Sequence, residues 1–139
     1  MVELTGDSYQ KILAHCLGGY PLEACGLLIG KGNLVTAIHP TENEARSARL
    51  FSIPPGEVLR AGRRSEEMGA KLLGVFHSHT NSEAYPSPTD VRLAPDPSWI
   101  YVVVSLRRTL AELRAYRILF GKVAEDRVAI GASGRVEAS

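Results

Sequence analysis

Two histidines end the apolar run Lys71–His79, and this constrains the fold more than any other feature of the chain. Leu72-Leu73-Gly74-Val75-Phe76 has the composition of a buried strand, and His77-Ser78-His79 continues it. In a strand, residues i and i+2 share a face, with Cα atoms roughly 6.5–7 Å apart. His77 and His79 therefore point one way and Ser78 the other. A single histidine beside a core strand is ordinarily a satisfied polar residue; a pair at this spacing can converge on one ion. Zinc takes imidazole nitrogen and carboxylate oxygen, and a catalytic zinc has three protein ligands plus water. After seven residues, Thr80–Pro86, comes Ser87-Pro88-Thr89-Asp90, and Asp90 is the candidate third ligand. That tetrapeptide is also a helix start, with Ser87 as N-cap, Pro88 at the first helical position and Asp90 in the first turn. The two roles are compatible, because a cap fixes the loop that brings Ser87 and Asp90 to the ion.

At 139 residues the chain suits one domain around one core. Its 45% hydrophobic and 22% charged residues are ordinary for a globular protein, and a formal net charge of +1 gives no nucleic-acid or membrane footprint. No run is apolar and long enough to span a bilayer. Glu3 and Asp7 come early with no apolar signal segment after them, which predicts a cytoplasmic protein. Cys16 and Cys25 form neither a disulfide framework nor a C-x-x-C pair, and are expected to be reduced and half-buried.

Tyr9, Ile12, Leu13, Cys16 and Leu17 form one helical stripe, with Asp7 and Gln10 as a capping box and Gly18-Gly19 as the stop. His15 falls off the stripe and is expected in solvent. Cys25–Ile29 reads as a buried strand, Gly30–Asn33 as a hairpin turn, and Leu34–His39 as the return strand closed by Pro40, with His39 at the surface. Glu23, just before the first of these strands, reads by itself as an exposed strand-end residue. Leu50–Ile53 is expected as a short strand. Pro54-Pro55-Gly56 opens a helix to about Gly69, with Val58, Leu59, Ala61, Gly62 and Met68 on its inner face. Lys71–His79 is the central strand, Pro88–Ala94 a short helix, and Trp99–Ser105 a strand buried on both faces. Two further strands follow, at Glu112–Phe120 and Val123–Ile130, and residues 131–139 are expected to form a tail. The pattern predicts an α/β domain over residues 1–130, a mixed sheet with helices on both faces and the metal at a strand end.

The spacing His77-x-His79, seven residues, Ser87-x-x-Asp90 resembles the signature of the JAMM (MPN-type) zinc metalloproteases. Glu23-Ala24-Cys25-Gly26-Leu27-Leu28 is similar to the upstream glutamate segment of that family. The resemblance extends over nearly the whole chain. It implies a cytidine-deaminase-like mixed β-sheet flanked by helices. Within the family, Glu83–Ser87, Thr89-Asp90-Val91 and Tyr101–Ser105 resemble the bacterial CysO-cysteine peptidases. That likeness implies hydrolysis of cysteine from the C-terminal Gly-Gly of a ubiquitin-like sulfur-carrier protein, with that carrier as partner and one zinc per chain as cofactor.

The family roles carry over residue by residue. His77, His79 and Asp90 are the implied zinc ligands, Glu23 the implied general base, and Ser87 the implied oxyanion donor. The loop Thr80–Pro86 is expected to line the substrate groove, with Thr80, Glu83 and Tyr85 as candidate contacts. A noncatalytic scaffold of the same fold would ordinarily lack ligands, and all are present here. A zinc deaminase needs H-x-E and P-C-x-x-C, which do not occur. A substrate alternative stays open: trimming of a longer carrier extension, or isopeptide cleavage.

Overall fold

The computed structural model describes residues 1–131. Of the tail expected at 131–139, Gly131 instead ends β8, and residues 132–139 lie outside the described residues. The elements are strand β1 (Val2–Thr5), helix α1 (Gly6–Gly19), β2 (Cys25–Lys31), β3 (Leu34–Thr41), α2 (Pro55–Glu67), β4 (Lys71–His79), α3 (Pro88–Arg92), β5 (Ile100–Ser105), β6 (Glu112–Leu119), β7 (Lys122–Asp126) and β8 (Val128–Gly131). They form a mixed α/β domain built on one eight-stranded sheet, ordered β7-β6-β5-β4-β2-β3-β1-β8.

β4 lies inside the sheet, antiparallel to β2 and parallel to β5. Its alternation divides the core. Phe76 packs with Ile12 and Cys16 of α1 and with Leu28, Val102 and Val104. Val75 faces the opposite layer, with Ala61 and Val58 of α2 and with Leu27, Tyr101 and Val103. The period of two places His77 and His79 on the α2 side with Val75, and Ser78 on the α1 side. Gly74 makes the tight β4–β5 pairing possible: a Cβ there would stand 2.0 Å from the Ile100 carbonyl oxygen.

Several local expectations are corrected. β1 has no periodic signal because it is four residues long and its partners, β3 and β8, are distant in sequence. It runs straight into α1, so the cap is Thr5, whose Oγ1 accepts from the Ser8 amide, and not the box at Asp7 and Gln10. His15 is not free in solvent: its Nε2 lies 3.0 Å from both the Cys25 and Thr41 carbonyls. His39 is also half-buried, with Nε2 2.9 Å from Glu57 Oε1. Cys16 and Cys25 are fully buried rather than half-buried, and both are free thiols. Burial pushes them up, to about 12 and about 11.

β3 continues through Pro40 to Thr41, beyond the Leu34 and Val35 that pair with β1. On α2, Leu59 and Met68 are exposed, and the inner face is Ala61 with Ser65, whose hydroxyl donates to the Gly62 carbonyl. Leu50–Ile53 is not a strand; its polar backbone is held by the Asn43 side chain. The expected strand Val123–Ile130 is two strands, separated by Arg127, on opposite edges of the sheet. The sheet therefore curls until its edges meet at one corner, where the Met1 amino group pairs with Asp126 at 3.1 Å.

Candidate metal centre

Two elements bring three ligand atoms together. β4 carries His77 and His79 to its C-terminal end, both buried. α3 carries Asp90 as the third residue of a complete capping box: the Ser87 Oγ accepts from the Asp90 amide, and Asp90 Oδ2 accepts from the Ser87 amide at 2.9 Å. His77 Nε2 and His79 Nε2 lie 3.1 Å apart, and Asp90 Oδ2 lies 3.0 and 3.1 Å from them. A tetrahedral ion with bonds of about 2.0–2.1 Å needs ligand atoms roughly 3.3 Å apart, close to this triangle. Among the described residues, no other group of His, Cys, Asp or Glu meets the geometry of a metal site.

The surroundings orient the ligands. His79 Nδ1–H donates to the Glu83 carbonyl at 2.8 Å, which leaves the Nε2 lone pair for the centre. Phe51 stacks on the His77 ring at 4.3 Å. Burial alone would raise the Asp90 carboxyl, but the bonds from His77 and His79 hold it well below the usual carboxylate range. Burial lowers His77 from its ordinary value. In His79 burial acts the same way but is outweighed by Asp90, the Glu83 carbonyl and Glu23, so that ring is raised.

Glu23 is not the exposed strand-end residue its local sequence suggests; it is 4% exposed. Cys25 pairs with His77, and Ala24 and Ser78 exchange bonds: Ser78 N–H to the Ala24 carbonyl at 2.9 Å, Ala24 N–H to Ser78 Oγ at 2.8 Å. Glu23 therefore comes level with His79 on the neighbouring chain segment. Its Oε1 is a buried polar atom without a hydrogen-bond partner among the described residues. A buried carboxylate oxygen of this kind, beside two imidazoles and a second carboxylate, fits a site that takes a cation and water. Burial pushes the Glu23 carboxyl up to about 8; His79 opposes this and Asp90 adds to it.

Of the loop Thr80–Pro86, expected to line the substrate groove, Pro86 lines the cavity beside His77 and Asp90, and the three candidate contacts take separate places. Thr80 is buried, and its hydroxyl donates to the Ala48 carbonyl at 3.3 Å, tying two loops together. The Glu83 side chain is exposed, 4.0 Å from Arg107, and it is the main-chain carbonyl that serves the centre. Tyr85 is exposed and packs edge-on against Tyr116. None of these three lines the cavity of about 330 Å³ beside His77 and Asp90. That cavity is walled by apolar residues, Phe51, Ile53, Leu93, Trp99 and Tyr101 among them. Phe51 and Asn43 carry no motif that marks them in the sequence. A polar residue followed at a distance by a lone aromatic is the only local signal, and such a signal is common in loops.

The family description "Prokaryotic homologs of the JAB domain" matches residues 6–119, a span that includes Glu23, His77, His79, Ser87 and Asp90. The chain belongs to this JAB-domain family. The JAB domain here is 40% identical over 128 residues to the CysO-cysteine peptidase of Mycobacterium tuberculosis, covering 90% of this chain and 88% of that protein. It is 33% identical over 111 residues to the desampylase of Haloferax volcanii, covering 75% and 80%. A solution structure of a Desulfitobacterium hafniense protein superposes with a TM-score of 0.88 at 35% identity, covering 96% and 94%. In this JAB domain the three candidate ligands come from β4 and α3, and Glu23 from the segment just before β2.

Proposed function

We propose that this JAB domain is a zinc-dependent peptidase. It would hydrolyse the bond after the C-terminal Gly-Gly of a ubiquitin-like sulfur-carrier protein and release cysteine. The observation that carries the reading is the triangle of His77, His79 and Asp90 with the unpartnered Glu23 oxygen beside it. The 40% identity to a CysO-cysteine peptidase supports the substrate.

His77, His79 and Asp90 would hold the ion. Zinc, when bound, supplies Lewis acidity and lowers the pKa of water to about 7. Glu23 Oε1 takes the proton of the attacking water and passes it to the leaving amine. Its raised carboxyl suits a group that must both accept and return a proton, and a nearby dication would bring it back toward neutral pH. Ser87 Oγ spends a lone pair on the Asp90 amide, so its O–H remains free to donate to the developing oxyanion. The apolar cavity beside His77 and Asp90 would give one side of a bound substrate an apolar wall.

The desampylase relative favours a second reading, in which the leaving group is a lysine side chain of a conjugated protein. Incubation with carrier adducts followed by intact mass separates the two. Loss of a single cysteine residue from the carrier supports the first reading. Release of a conjugated protein with the cysteine adduct untouched supports the second. If neither adduct is cut by zinc-loaded protein, both readings fail.

A further inference from the structure

We infer that Asn43 is the positioning residue that sets Glu23 for proton transfer, an inference that rests on the assignment of Glu23 as base. Asparagine has two donor hydrogens and two acceptor lone pairs on its carboxamide. Asn43 uses all four on main chain. Its Nδ2 donates to the Glu23 carbonyl at 3.0 Å and the Leu50 carbonyl at 2.9 Å. Its Oδ1 accepts from the amides of Ala45 at 3.0 Å and Ser52 at 2.9 Å.

The place where these bonds fall explains their use. The β2–β3 ladder ends at the pair Cys25 and Thr41, so Glu23 lies beyond it and has no strand partner on that side. The loop supplies what the ladder does not: the Glu23 amide donates to the Ser47 carbonyl at 2.8 Å, and the Glu23 carbonyl receives the Asn43 amide. Ala24 N–H is held from the other side by Ser78 Oγ. The Glu23 carboxylate, by contrast, has an oxygen with no protein partner. Its position is therefore dictated by where the main chain puts its Cα. Asn43 is the one side chain that clamps that main chain from the loop, and it reaches at the same time to both sides of Phe51, the ring stacked on His77.

A residue that only braced the loop would act through all four bonds alike. Asn43→Asp keeps the loop bonds to the Ala45 and Ser52 amides and loses those to the Leu50 and Glu23 carbonyls, so the loop keeps two of its three ties to this side chain while Glu23 loses its one. A base displaced by about 1 Å costs on the order of 10²-fold in rate. The zinc-loaded variant, assayed on a ubiquitin-like carrier bearing cysteine after Gly-Gly, should lose about 10- to 10²-fold in kcat. KM and zinc affinity, the latter measured by chelator competition, should stay close to the parent. Asn43→Ser, too short to span both segments, replaces it if Asn43→Asp shows no cooperative thermal transition. Unchanged kcat, or a loss carried by KM or by zinc affinity, overturns the inference. Glu23→Gln is measured alongside. If that variant turns over like the parent, the base assignment has failed. If it is inactive while Asn43→Asp is fully active, the base stands and the positioning role falls.

Discussion

At the scale of single residues, Glu23 combines a place beside the candidate metal centre with a cost. Its carboxyl is buried, one oxygen is unpartnered, and its folded value of about 8 stands well above the ordinary 4.5. A group raised in the folded state favours folding when protonated and loses that advantage as the pH climbs from the unfolded to the folded value. Metal-free protein should therefore lose stability between about pH 4.5 and 8 on account of this one residue. Glu23→Gln does not titrate. In chelator, its melting temperature should gain on the wild type as the pH rises from 5 to 8, while zinc-loaded turnover is lost, since an amide cannot accept the proton. Equal melting temperatures at pH 8 would show that burial does not penalise this carboxylate. Retained turnover would remove it from the mechanism.

Among the elements, β4 bears most on the site, since it carries two of the three candidate ligands and forms the floor of both core layers. Its alignment against β5 depends on Gly74. A Cβ at that position meets the Ile100 carbonyl oxygen at 2.0 Å, and main chain in the middle of a sheet cannot move aside as a side chain can. Gly74→Ala should thus cost about 1–3 kcal/mol in urea unfolding of the metal-free protein, the usual penalty for overpacking a core. Because His77 lies three residues along the same strand, zinc affinity should fall with it. A change in stability below about 0.5 kcal/mol, the range of an ordinary surface substitution, would mean that β4 and β5 separate without cost.

For the molecule as a whole, the candidate centre ties the end of a sheet strand to the start of the next helix. His77 and His79 belong to the sheet interior, and Asp90 arrives on a helix whose own cap fixes the carboxylate. An ion bound only by the folded state stabilises it by RT ln(1 + [L]/Kd), about 2.7 kcal/mol at a hundredfold excess over Kd. Zinc should raise the melting temperature over that in chelator. The rise should shrink as the pH falls, because the ligands must be neutral imidazoles. His79 holds its proton above the ordinary 6.5 in the metal-free protein, so competition begins above that pH. Thermal melts with zinc and with chelator from pH 8 to 5 measure the gap, and a gap that stays constant or widens in acid excludes these ligands.

The grouping of His77, His79 and Asp90 is legible in the chain because strand periodicity and helix capping are local rules: one puts His77 and His79 on a single face, the other orients Asp90 through Ser87, and the three side chains do meet. The same rules located α1, α2, β4 and β5 within a few residues. They could not place β1 or split β8 from β7, since β1 and β8 exist only through partners far along the chain. Nor could they tell that Leu50–Ile53 would be held by one asparagine in place of a ladder, or that Thr80 would turn inward to Ala48 while Glu83 served the centre through its carbonyl. Whether Glu23 stood in water or beside the ligands was decided by the β2–β4 register and the loop folded over it. Burial and hydrogen-bond partners are properties of what surrounds a residue, and for these residues the surroundings come from segments that only the folded sheet brings together.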